Sequence, residues 1–174
     1  MKHFAISTFL FFLTTACFSQ STFKAVVTDS AWDGKTVPKS QVCKRFGGKG
    51  AVSPTIQVDG IPQEANAILI SFSDESYTQM ANGGHGVILF DHQMKTSAVI
   101  PNIPAETDNL PEGLSQFKSH SGRGWSGTGG AYLPPCSGGR GNYYSVEIAA
   151  VIVDIPNKKI VKKLEKTSLE LGRY

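Results

Sequence analysis

Long apolar runs and a strong charge of either sign are both missing from most of this sequence. Beyond its first 20 residues no segment reaches the roughly 20 apolar residues that a membrane-spanning helix needs. The 17 Lys and Arg nearly balance the 14 Asp and Glu. The one basic cluster, over 157–163, has no aromatic residue interleaved for stacking on bases. These absences argue against a transmembrane segment and against a nucleic-acid partner.

Motifs typical of common enzymes are missing as well. The segment GGKG at 47–50 lacks the spacing and the final Ser or Thr of a phosphate-binding loop, and no Gly-x-Ser-x-Gly motif occurs. His85 and His92 are seven residues apart, which is not a common zinc spacing. The neighbouring Asp74 and Glu75 would face opposite sides of a strand, so they do not form a carboxylate pair. The sequence therefore predicts a protein that is not an enzyme and that uses no metal or other cofactor.

The N-terminus has the features of a secretory signal. Lys2 precedes an apolar run over 4–13, and small residues follow it. We predict a signal peptide over residues 1–19 and a single domain over 20–174, in a secreted or periplasmic protein. Cys17 lies in a segment with a loose likeness to a bacterial lipobox, so a lipoprotein anchored through Cys17 is the alternative.

Cysteines are scarce, and only two remain once Cys17 is removed or lipidated. In an oxidising compartment an even pair, here Cys43 and Cys136, indicates a disulfide. Such a bridge would close a loop of more than 90 residues, and the chain-entropy model gives it roughly 4–5 kcal/mol of stabilisation. Two buried free thiols are the alternative.

Glycine and proline are frequent, with 18 and 9 residues, and they separate short apolar runs. This pattern is typical of many short strands joined by turns. It predicts an all-β fold, an antiparallel sandwich of two sheets with few short helices, one of them at 161–166. The predicted strands are Thr22–Thr28, Thr55–Val58, Ala67–Phe72, Gly86–Phe90, Ser97–Ile100, Tyr143–Ile155 and Ser168–Tyr174.

Polar residues at the ends of these strands are the candidate site. Asp74 follows one apolar strand, and His85 opens another within NGGHGVILF. The segment 122–142, GRGWSGTGGAYLPPCSGGRGN, is unusually long and rich in glycine, and loops of this kind are often functional. Backbone amides in such turns can form an anion-binding concavity. The alternative is a surface aspartate, a loop histidine and a purely structural loop.

Five segments, in order from about residue 42 to 155, resemble the phosphatidylethanolamine-binding protein family, in particular its bacterial secreted branch related to the Raf kinase inhibitor protein. They are VCKRFGGKGAVSPTIQVDGIP, ILISFSDES, NGGHGVIL, NIPAETDNLPEG and GGAYLPPCSGGRGNYYSVEIAAV. Two departures concern the family's pocket: Asp74 matches only one of its two aspartates, and Asn142 stands where it has a histidine.

The resemblance implies a small anion pocket at one end of the sandwich. A charged His85, amides of the glycine-rich turn and the hydroxyls of Tyr132 or Tyr144 would be its donors. The implied site residues are Asp74, His85, Tyr132, Pro135, Asn142 and Tyr144. We expect a non-catalytic protein that captures a small anionic ligand, such as phosphate or a phospholipid headgroup. The alternative is a protein-interaction module with a protein partner, acting as a protease inhibitor or regulator.

Overall fold

The structure is a computed structural model, and it describes residues 22–122 and 129–174. The predicted signal peptide over residues 1–19 lies outside the described residues, and so does Cys17 with its possible lipidation. Trp125, in the glycine-rich loop, lies outside them too. The structure therefore tests neither the predicted signal peptide nor the lipidation of Cys17.

Eight strands and two single-turn 3-10 helices, Lys44–Phe46 and Thr78–Met80, make up the regular structure of the described residues. In chain order the strands are β1 (Lys24–Val27), β2 (Ile56–Asp59), β3 (Ala67–Asp74), β4 (Gly86–Phe90), β5 (Ser97–Ile100), β6 (Leu114–Lys118), β7 (Tyr143–Asp154) and β8 (Lys159–Arg173).

The strands form two antiparallel sheets. The smaller sheet has the order β1-β2-β5, and the larger one has the order β6-β4-β3-β7-β8. Alternate residues of the larger sheet, such as Ile70, Ile88 and Ile148, are fully buried in the main core together with Ile56 and Ile100 of the smaller sheet. The predicted all-β, two-sheet sandwich is confirmed.

Two details of the sequence-based prediction are wrong. The segment 161–166 is not a short helix, because it continues β8, which pairs with β7 along almost its whole length. Register shifts opposite β7 break the regular alternation of side chains there and hide the strand pattern. In addition, β6 was missed, because LSQFK contains only two apolar residues and lies at a sheet edge.

The disulfide between Cys43 and Cys136 is present, which confirms the predicted pairing over a separation of 93 residues. Cys43 is completely buried and Cys136 nearly so, and both pack with Met80 and Leu133 in a small apolar cluster. The bridge joins the turn after residue 43 to the glycine-rich turn after residue 136. Among the described residues, no helix has the length and hydropathy that crossing a membrane requires.

Candidate functional site

Antiparallel pairing brings the ends of β3, β4 and β7 together. They meet at the edge of the larger sheet where its strands terminate, and not at a side formed by an outer strand. β3 ends at Asp74, directly opposite Tyr144 near the start of β7. On the other side of β3, Phe72 pairs with Gly86, the first residue of β4. His85, just before β4, therefore lies at the same edge as Asp74, and the segment leading into β7 meets both.

A pocket of about 310 Å³ opens at this edge, near the lower end of the roughly 300–1,000 Å³ typical of small-molecule sites. Three of the predicted site residues, Asp74, His85 and Asn142, contribute to its wall. Of the other six lining residues, Cys136, Ser137 and Arg140 belong to the glycine-rich segment that the sequence also placed at the site, whereas Ser76, Tyr77 and Met80 were not predicted.

His85 is held by the segment that follows residue 130. Its backbone carbonyl accepts a hydrogen bond from the N–H of Leu133 (2.9 Å), and its ring Nδ1 lies 2.8 Å from the Leu133 carbonyl oxygen. The absence of a side chain at Gly86 permits this approach, since a Cβ there would lie 2.1 Å from the carbonyl oxygen of Ala131. The glycine beside the histidine thus makes room for a neighbouring backbone segment.

The ring of His85 is neutral in the ligand-free protein at neutral pH. Burial lowers the pKa of His85 to about 4, although the Leu133 carbonyl and the charge of Asp74 both act to raise it. His120, which the sequence analysis did not single out, is also buried and lies close enough to lower this pKa further. The charged His85 that the family resemblance implied is therefore not present in the ligand-free pocket.

Asp74 is 3% exposed and has hydrogen bonds at both carboxylate oxygens. Oδ1 accepts the backbone N–H of Ser76 (2.9 Å), and Oδ2 accepts the side-chain amide of Asn142 (2.6 Å). Asn142 thus contacts Asp74 directly from the position where the resembled family has a histidine.

The other three predicted site residues are not in the wall of this pocket. Tyr132, Pro135 and Tyr144 surround, together with His85, a gap that is too small to hold a water molecule. Tyr144 makes an edge-to-face contact with the ring of His85, and its hydroxyl oxygen accepts the N–H of Cys136 (3.1 Å). Burial raises the pKa of Tyr144 to about 12 and also raises that of Tyr132. The structure does not bring these three side chains to the wall of the outer pocket.

Arg140 brings a cation to the pocket. It is exposed, and within residues 22–122 and 129–174 no carboxylate or carbonyl group pairs with its guanidinium group. It belongs to the turn 136–142, in which Gly138, Gly139 and Gly141 have φ values of 72°, 79° and 77°. The backbone N–H groups of residues 137–142 have no acceptor within the described segments. No group of three potential metal-binding side chains occurs in those segments either.

The fold and the pocket together define a two-sheet β-sandwich with a small pocket at one end of its larger sheet. No protein-family model matches the chain, and a comparison with curated proteins finds no match. Among solved structures, the chain is similar to the crystal structure of E. coli YbcL, described as a new member of the mammalian PEBP family. The TM-score is 0.53 with 17% sequence identity, over 88% of this chain and 98% of that one. The chain has a PEBP-like fold, as the five segments predicted.

Proposed function

We propose that this chain is a secreted or periplasmic, PEBP-like binding protein that captures a small anionic ligand and does not turn it over. The main support for this proposal is Arg140, because its guanidinium lies at the pocket without an ion-pair partner among the described residues. A guanidinium group binds phosphate-like oxyanions through paired N–H donors. The amides of residues 137–142 add further donors in the same turn.

Ligand capture and protease inhibition make different demands on the structure. Capture requires a concave site at His85, whereas inhibition requires an exposed loop or N-terminal segment that enters a protease. The pocket beside His85 supports capture. Its volume of about 310 Å³ suits a phosphate or a headgroup and is too small for the acyl chains of a lipid.

The absence of turnover is supported by the state of the candidate nucleophiles in the described pocket. Cys136 is in the disulfide. The hydroxyl of Ser137 donates to the carbonyl oxygen of Tyr174, and that of Ser76 accepts the N–H of Tyr143. Nucleophilic catalysis needs a hydrogen bond between the nucleophile and a base, and none of these hydrogen bonds is to His85.

Location outside the cytoplasm is supported by two independent features. Disulfides persist in oxidising compartments, and Cys43 and Cys136 are bridged. The first 19 residues have the composition of a signal peptide.

Calorimetric titration with inorganic phosphate at pH 7 tests the proposal on the soluble domain. Loss of a charge-assisted hydrogen bond predicts that Arg140→Gln weakens binding by about 10- to 150-fold. Lys162→Gln, which removes one exposed positive charge from β8, is the matched control and should change the affinity by less than about twofold. Equal binding by Arg140→Gln and the unmodified protein would refute a site centred on Arg140.

A further inference from the structure

Two acceptors lie on the wall of a pocket that otherwise offers donors to an anion. The Leu133 carbonyl oxygen can only accept, so Nδ1 of the neutral His85 ring carries the proton and Nε2 has the lone pair. Asp74 adds a carboxylate, which also only accepts. An anion that enters this pocket therefore meets donors from Arg140 and the turn and acceptors from His85 and Asp74.

We propose that the pocket selects oxyanions that carry a proton over fully ionised oxyanions, an inference that rests on the proposed function. The favoured ligands are hydrogen phosphate and the protonated form of phosphate monoesters, and the disfavoured ones are sulfate and phosphate diesters. A protonated oxyanion presents its ionised oxygens to Arg140 and the turn amides, and its P–OH group donates to His85 or Asp74. A fully ionised oxyanion has acceptors alone and would place one of them against these acceptors.

The surroundings of His85 keep its ring an acceptor. Burial lowers the pKa of His85 to about 4, and His120 acts in the same direction. Asp74 opposes this shift, while Tyr144 contacts the ring by its edge and stays un-ionised because burial raises its pKa to about 12. Arg140 is the remaining charged group of the pocket wall.

Four ligands of similar size, of which only inorganic phosphate carries a proton at pH 8, test this selection at that pH. They are inorganic phosphate, methyl phosphate, dimethyl phosphate and sulfate. Inorganic phosphate keeps one P–OH group at this pH, whereas a monoester has lost its proton, because the second pKa of a phosphate monoester is about 6. Calorimetry should show inorganic phosphate binding about 10- to 150-fold more tightly than sulfate, which corresponds to one charge-assisted hydrogen bond.

A second measurement at pH 5.5 tests whether the P–OH proton itself determines the affinity, because the monoester also carries this proton there. The methyl phosphate monoester regains its proton there while His85 stays neutral, so its affinity should rise towards that of inorganic phosphate. Dimethyl phosphate and sulfate should stay weak at both pH values. This comparison uses the unmodified protein, so it does not depend on any variant folding.

Asp74→Asn provides the second test, because it replaces one carboxylate oxygen by a donor. It can keep the hydrogen bond from the N–H of Ser76, and the side-chain amide of Asn142, which donates to Oδ2 in the unmodified protein, can rotate so that its oxygen accepts from the new amide. The ratio of phosphate affinity to sulfate affinity should fall by about 10-fold or more. Asp59→Asn, the same change on β2 in the other sheet, should leave the ratio unchanged. An unchanged ratio in Asp74→Asn would show that the carboxylate does not select the ligand.

The failures of the two proposals are distinguishable. If sulfate and phosphate bind equally at pH 8 and Arg140→Gln weakens both, the anion site stands and the selection is refuted. Uptake of about one proton with sulfate, measured in buffers of different ionisation enthalpy, would give the reason, because His85 would then bind as a histidinium. If none of the four oxyanions binds, both proposals are refuted.

Discussion

The buried neutral His85 makes the stability of the fold depend on pH in a predictable direction. In the unfolded chain a histidine has a pKa of about 6.5, whereas burial lowers the pKa of His85 in the folded protein to about 4. Between these values the unfolded chain binds a proton that the folded protein does not bind. The free energy of unfolding therefore decreases as the pH falls from 6.5 to 4.

The size of this effect follows from the separation of the two pKa values. Each unit corresponds to about 1.4 kcal/mol, so His85 should contribute a loss of about 2–3 kcal/mol between pH 7 and pH 4.5. Above pH 7 its contribution should no longer change. This is a sizeable part of the 5–15 kcal/mol by which a typical domain is stable.

Urea unfolding of the unmodified protein and of His85→Gln, at several values between pH 4.5 and pH 7.5, isolates this contribution. Glutamine can still donate to the Leu133 carbonyl but does not titrate. His92 and the carboxylates remote from His85 are present in both proteins, so their contributions cancel in the difference, which contains the titration of His85 and its coupling to Asp74 and His120. Phosphate and sulfate buffers are avoided, because an anion bound at the pocket would itself stabilise the fold. Parallel pH profiles for the two proteins would contradict a neutral buried ring.

Two further predictions concern stability. Replacing Cys43 and Cys136 together by alanine should lower the free energy of unfolding by about 4–5 kcal/mol, because the bridge closes a separation of 93 residues, and a loss below about 1 kcal/mol in urea unfolding would contradict this. Gly86→Ala should cost more than about 2 kcal/mol, because its Cβ would lie 2.1 Å from the Ala131 carbonyl oxygen at a φ of 120°. The control Gly139→Ala, which has a positive φ but no atom within 4 Å, should cost about 1 kcal/mol in thermal unfolding, and equal losses would show that the close approach does not matter.

The fold could be predicted where the sequence alternates clearly between apolar runs and turn residues. The predicted bounds of β4 and β5 agree with the structure, and those of β1, β2 and β7 differ by one or two residues. The N-terminal half of β8 could not be recognised, because lysines occupy its positions at an irregular spacing. Pairing with β7, rather than local preference, makes this segment extended.

The candidate site was predictable in outline, because polar residues at the ends of neighbouring antiparallel strands meet at one edge. Asp74, His85 and Asn142 were found on this basis and from the family resemblance. Arg140 was not chosen, since an exposed cation in a glycine-rich loop looks like any solvated charge. The neutral state of His85 was not predictable either, because it depends on burial by segments distant in the sequence, above all Leu133.

The glycine-rich turn is held in place by the rest of the protein, even though its sequence suggests flexibility. At one end Cys136 is bridged to Cys43. At the other, the side chain of Arg173 donates to the Gly141 carbonyl oxygen (3.0 Å), and Asn142 donates to Asp74. Glycine permits the left-handed backbone of the turn, while these contacts restrict the conformations that it samples. Because such preorganisation reduces the entropy lost on binding, it favours the proposed capture of a small anion through few contacts.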